Sequence, residues 1–195
     1  MGSEMCIRDS VVTELRGLSA WLAAQSTEAR IDLIERDPLG VGRYGDISGY
    51  SLEDKRALLK SLGQKTNLRS NTRWTEPAFG PLATPRMESE IKRILASPSR
   101  EKGHQELTGF VLAFLPHGQA LPGLSEILSE MVRDNTRWPY INMRALDAFI
   151  HCTGPGNSDD ELKALLADIY QGTVLDPEYE LLGTLLSELL SLIHI

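Results

Sequence analysis

The chain has 195 residues, with 20 Lys and Arg against 27 Asp and Glu for a formal charge of −7, and only 6% aromatics. This mild acidity argues against a dedicated nucleic-acid binder, which carries a basic patch or stripe. No apolar run approaches the roughly 20 residues of a membrane-spanning helix. Abundant Leu and Ala with few aromatics favour helices over sheets.

The two ends read differently from the middle. Met5-Cys6-Ile7-Arg8-Asp9-Ser10 is what ATG TGT ATA AGA GAC AGN encodes, and Leu190-Ser191-Leu192-Ile193-His194-Ile195 is what CTG TCT CTT ATA CAC ATC encodes. The two DNA strings are reverse complements. Residues 1–10 and 190–195 resemble translated transposon-adapter sequence, and Met1-Gly2-Ser3-Glu4 fits the same adapter read from a GTG start. Such segments are excluded from fold reasoning. The expectation is therefore an internal fragment of a longer reading frame over 11–189. Without Cys6, Cys152 is the one remaining cysteine, so no internal disulfide forms and a reducing cytoplasm is the expected compartment.

Val11 to Gln25 predicts an amphipathic helix whose inward stripe is Leu15, Leu18, Trp21 and Leu22. Ser26 or Thr27 caps a second helix with Ile31, Leu33 and Ile34, which Asp37-Pro38-Leu39-Gly40 ends. A turn-rich glycine connector through Gly42, Gly45 and Gly49 follows. Ser51-Leu52-Glu53-Asp54 opens a helix as a capping box, with Gly63 in the C′ position. These elements make 11–65 a helical linker region, and 66–86, with Trp74, Pro77, Phe79 and Pro81, a packed loop.

Residues 87–189 predict a helical repeat region. Helical patterns begin near Met87, His104, Pro122, Pro139, Glu161 and Pro177, the prolines suiting a first turn whose N–H has no helical partner. The apolar stripes run through Ile91, Ile94 and Leu95, then Leu107, Val111 and Leu112, then Leu124, Leu128 and Met131. They continue through Ile141, Ala145 and Phe149, then Leu162 and Leu165, then Leu181, Leu182, Leu185 and Leu186. Helix pairs recur at roughly 35 to 40 residues, the scale of HEAT-like repeats. The expected fold is all-α, a HEAT-like α-solenoid or irregular helical array, with a closed bundle as the alternative. Interior repeats lack a polar cap, so the last helix is expected to expose part of its leucine surface and the isolated chain to associate.

Each chemical motif has a structural reading that outweighs it. Gly40-Val41-Gly42-Arg43-Tyr44-Gly45 spells the dinucleotide fingerprint, but a helix, not a strand, precedes it. Thr153-Gly154-Pro155-Gly156-Asn157-Ser158 lacks the Lys-Ser/Thr pair of a phosphate loop. His104, His117, His151 and Cys152 have no metal-ligand spacing. Asp159-Asp160-Glu161 and Asp176-Pro177-Glu178 stand at helix starts, where carboxylates serve orphan N–H groups. The tetrapeptide Asn71-Thr72-Arg73-Trp74 recurs as Asn135-Thr136-Arg137-Trp138. Arg73, Trp74, Arg137 and Trp138 are the candidate interaction residues, because Arg and Trp are enriched in hot spots, although each could instead wedge between helices. Catalytic, cofactor-binding and metal residues are expected to be none.

Several stretches carry a family resemblance. They include Leu33-Ile34-Glu35-Arg36-Asp37-Pro38-Leu39-Gly40, Glu53-Asp54-Lys55-Arg56-Ala57-Leu58-Leu59, Ala145-Leu146-Asp147-Ala148-Phe149-Ile150-His151 and Leu162-Lys163-Ala164-Leu165-Leu166-Ala167-Asp168-Ile169. Together they resemble the helical region downstream of the P-loop ATPase in large bacterial STAND/NACHT-like proteins. That resemblance implies a sensor or scaffold segment of a signal-transduction ATPase in an anti-phage setting. It implies a protein partner, oligomerisation through the parent ATPase, and ATP and Mg held by the parent. No Walker A motif stands in this chain, so no nucleotide-binding residue carries over. A generic protein-interaction solenoid and a small helical enzyme using the Gly40–Asp46 turn or the His151–Cys152 pair are the alternatives.

Overall fold

The computed structural model describes residues 15–64, 76–154 and 159–193. Among them every regular element is helical: α1 (Arg16–Gln25), α2 (Thr27–Arg36), α3 (Pro38–Tyr44), α4 (Leu52–Gly63) and α5 (Glu88–Leu95) come first. They are followed by α6 (Lys102–Phe114), α7 (Ser125–Arg133), α8 (Pro139–Thr153), α9 (Asp159–Tyr170) and α10 (Glu180–Ile193). Short 3₁₀ segments at Glu76–Leu82, Pro85–Met87, Leu115–His117 and Pro122–Leu124 link them. The protein is an all-α irregular helical array.

Local chemistry sets the first four helices. Ser26 Oγ accepts from Ala29 N (3.3 Å) while Ser26 N closes α1 on Leu22 O (2.9 Å), so one residue serves both helix ends. Asp37 repeats the arrangement one helix later: its N donates to Leu33 O (2.8 Å) and its Oδ1 accepts from Gly40 N (3.1 Å). With Pro38 at the first helical position, this cap starts α3 where a turn-rich connector was expected. The glycines there serve close approach. A Cβ on Gly42 would lie 2.1 Å from Phe79 Cε1, so only a bare backbone lets the helix seat against that ring. Ser51 caps α4 as expected, through Asp54 N at 3.1 Å. Gly63 is the last helical residue and not a left-handed C′, since Gln64 continues in right-handed backbone.

The expected inward stripe of α1 points the other way. Leu18 is 62% and Trp21 59% exposed, while Ala20 and Ala23 are buried. Small residues let α1 lie close to α2 and α3, and the large ones are left on the outside.

Helix α6 is the centre of the molecule. Every residue from Gln105 to Phe114 is buried, the signature of a helix packed on all sides. Phe110 meets Phe79 edge-on at 4.9 Å and Phe114 at 5.8 Å. Within the expected packed loop, Phe79, Leu82 and Ala83 are fully buried and the chain is 3₁₀ rather than irregular; residues 66–75 lie outside the described residues. Elements from both halves of the chain thus converge on one helix, unlike a solenoid whose repeats touch only neighbours.

In the second half the stripes of α5, α7, α8 and α9 turn inward as expected. Two helix starts differ from expectation. Pro122 opens a 3₁₀ turn and α7 begins at Ser125. Pro177 lies in a turn before α10, because Tyr179 takes a positive φ of 59° and Asp176 instead caps the helix at Leu181 N (3.2 Å) and Leu182 N (2.8 Å). In α10, Leu181 and Leu185 are buried while Leu186 is exposed, so part of its leucine surface is open.

Polar links cross between helices. Arg133 of α7 pairs with Glu161 (2.7 Å) and Asp168 (2.8 Å) of α9. Arg30 of α2 pairs with Asp54 of α4 (2.7 Å) and lies over the Tyr50 ring at 4.5 Å.

Candidate functional site

The turn between α7 and α8 holds the second copy of the repeated tetrapeptide, and each of its residues has a structural partner. Asn135 Nδ2 donates to Thr173 O (2.8 Å) and its Oδ1 accepts from Leu175 N (2.9 Å), tying this turn to the α9–α10 connection. Thr136 N donates to Asp134 Oδ1 (3.0 Å), forming an Asx turn. Arg137 pairs with Asp134 at 3.1 Å, and its side chain is only 7% exposed. Trp138 is half-buried, packs against the core and precedes the first turn of α8. A contact through Arg137 would have to draw it away from Asp134. Arg73 and Trp74 lie outside the described residues.

Asp134 gathers this region. Arg100 reaches it at 2.5 Å, beside Arg137 and Thr136. Partial burial works to raise its carboxyl, but the Thr136 hydrogen bonds and the two guanidinium groups outweigh it and hold the pKa below the ordinary 3.8. Behind it, buried Asn142 donates to Met131 O (3.2 Å), Val132 O (3.0 Å) and Asp134 O (3.1 Å), closing the carbonyl end of α7 from α8.

The remaining sequence candidates are dispersed. Cys152 is buried, and burial pushes its thiol above the ordinary 9.0, the opposite of an activated nucleophile. His151 Nε2 donates to Gly118 O (3.1 Å). His117 stands in a 3₁₀ turn, and His104 lines a cleft with α4 and α5. No three His, Cys, Asp or Glu side chains converge among the described residues. Gly40 and Gly42 lie within α3, preceded by α2, so the fingerprint's strand–turn–helix frame is a helix–helix junction. Thr153 ends α8, Gly154 follows at φ 74°, and 155–158 lie outside the described residues. Asp159, Asp160 and Glu161 occupy the first turn of α9.

Two surface features were not anticipated. One is a cleft of about 510 Å³ among α4, α5 and α6, with Arg56, Lys60 and Arg93 around an apolar floor of Leu59, Ile94 and Leu107; Arg56 is already paired with Glu90. The other is the outer face of α1 and α2, where Leu15, Leu18, Trp21, Leu22 and Ile31 are all exposed. Neighbouring exposed apolar groups of this size mark contact surfaces. The signal in the sequence was the opposing stripe of Ala20, Ala23 and Ala24, which gives α1 a small-residue face able to pack more closely than the leucine face.

The fold and its surface define an all-α array with an exposed apolar face on α1 and α2. Comparison with family models, curated proteins and solved structures returns no match to this chain.

Proposed function

We propose that the chain is a non-catalytic sensor or scaffold segment of a larger bacterial signal-transduction ATPase of the STAND/NACHT-like type. In this reading it works in the cytoplasm through a protein partner, while ATP and Mg belong to the parent's upstream domain. The observation that supports a binding role is the exposed apolar face of α1 and α2, where Trp21 is 59% exposed beside Leu18, Leu22 and Ile31. Trp anchors of this kind dominate interface energetics. The sequence resemblance supplies the parent and its anti-phage setting.

The uninterrupted gene tests the reading. A Walker A motif encoded upstream of Val11 is the expected result. An upstream region with further helical repeats and no P-loop would leave a plain interaction scaffold instead. At the protein level, Trp21→Glu is expected to abolish capture of the partner by the full-length protein while leaving the fold intact, as read by circular dichroism.

A further inference from the structure

Lys55 is a buried cation with an unusual setting. It sits in α4 with 9% exposure, and Nζ donates to Ser48 O at 3.2 Å. Among the described residues no carboxylate lies within ion-pair distance of it. The nearest acid to act on it, Asp46, spends its Oδ1 on the Ser48 N–H (2.9 Å) and hydroxyl. A lysine with so little exposed surface and no ion-pair partner among the described residues is unusual, and a methionine or leucine would fill the same packing position without a charge to solvate.

The side chain reaches a concave part of the surface. It forms part of the wall of a pocket of about 360 Å³ built from three separate chain segments. Ser48 and Lys55 form one wall, the 80–84 segment with Thr84 a second, and the turn with His117 and Gln119 the third. No acidic residue lines it among the described residues. The walls are fixed before any ligand arrives. A Cβ on Gly80 would stand 2.2 Å from His117 O, and one on Gly118 would stand 2.4 Å from Gly80 O, so the two segments lie backbone to backbone. Gln119 N donates to Ala83 O (2.9 Å), and His151 holds Gly118 O from α8.

We infer that this pocket binds a small organic monocarboxylate, with Lys55 as its counter-charge and Thr84, His117 and Gln119 as hydrogen-bonding groups around it. One fixed cation matches one negative charge. A phosphate would call for several cations or a forked guanidinium, and no arginine lines this pocket among the described residues. Burial lowers the Lys55 ammonium, opposed by Asp46, and a bound carboxylate would restore it. This inference is independent of the parent ATPase.

The test is a titration of the ¹⁵N-labelled chain with acetate, butyrate and benzoate at constant ionic strength, with inorganic phosphate as the second arm. Saturable shifts of the Ser48, Thr84, Gly118 and Gln119 amides by a carboxylate, at least tenfold tighter than by phosphate, are expected. Lys55→Met keeps the stem and removes the charge, and should abolish them. Gln119→Glu, at an exposed position, places a carboxylate in the pocket wall without touching the core and should weaken binding at least tenfold. Absence of saturation, phosphate binding as tightly, or unchanged binding in a folded Gln119→Glu variant would each overturn the assignment.

Discussion

Asn142 shows how much one side chain can carry in this molecule. Its amide donates to three carbonyls at the end of α7, and Asn142→Ala would remove those bonds from a buried site, although Met131 O and Asp134 O keep backbone donors in Asp134 N and Arg137 N. The expected loss is about 2 kcal/mol, read by urea unfolding. Titration acts at the same scale. Asp134 and Glu161 have lowered pKa values, Glu161 chiefly through the Ser129 hydroxyl and then Arg133. A depressed folded pKa stabilises above the unfolded value and the contribution is lost as pH falls through the folded one. Both therefore favour the fold at neutral pH and lose that effect below the ordinary 3.8 and 4.5. Asp147 has the opposite sign: burial raises it against Arg144, so its contribution is full below 3.8 and fades as pH rises through the raised value. Unfolding midpoints should then peak at mildly acidic pH and fall steeply at lower pH. Asp147→Asn should flatten the neutral side of that profile and leave the acid side in place.

Between elements, the closest approach is α3 against Phe79. A methyl on Gly42 cannot be accommodated by rotating the ring away, because Phe79 is itself fully buried and packed on Phe110. Gly42→Ala is expected to cost about 1–3 kcal/mol through overpacking, although alanine is the better helix former by about 1 kcal/mol. The sign of the measured change separates the two effects: if α3 were a loose glycine turn, the substitution would be neutral or stabilising. The α7–α9 pairing through Arg133 is weaker in kind. Its guanidinium is partly exposed, so each pair is worth only a few tenths to about 1 kcal/mol, and Arg133→Met should cost little more.

At the scale of the whole molecule, apolar surface lies open at both ends of the array, on α1 and α2 and again at Leu186 of α10. The isolated chain is expected to self-associate, with the apparent mass from light scattering rising with concentration. Leu18→Lys combined with Trp21→Glu should reduce that association and leave the thermal midpoint within a few degrees, since neither side chain belongs to the core. A monodisperse wild-type monomer at high concentration would remove the case for a contact face. The buried core, by contrast, is continuous from Ala23 to Leu185, so unfolding should follow one main transition by different probes.

The helices of the second half were legible because their inward stripes are leucine and isoleucine at helical spacing, and burial of such stripes follows from periodicity alone. The caps at Ser26 and Ser51 were legible because a hydroxyl before a helix satisfies local N–H groups whatever surrounds it. Other features depended on partners far along the chain. Gly40 to Gly45 spelled a turn, whereas the Asp37 cap starts a helix there and Phe79, distant in sequence, seats against Gly42. The leucine stripe of α1 satisfied the periodicity rule yet faces outward, because α2 and α3 meet its alanines instead. Arg137 had the composition of a hot spot, and its commitment to Asp134 emerges only from the turn around it. Composition and period determined that this chain is helical and where most helices lie. Tertiary packing alone decided which face each of the first helices buries, that α6 stands at the centre, and that Lys55 lines a pocket with no acidic residue in its wall among the described residues, since each of these is a matter of which distant segment arrives at a given surface.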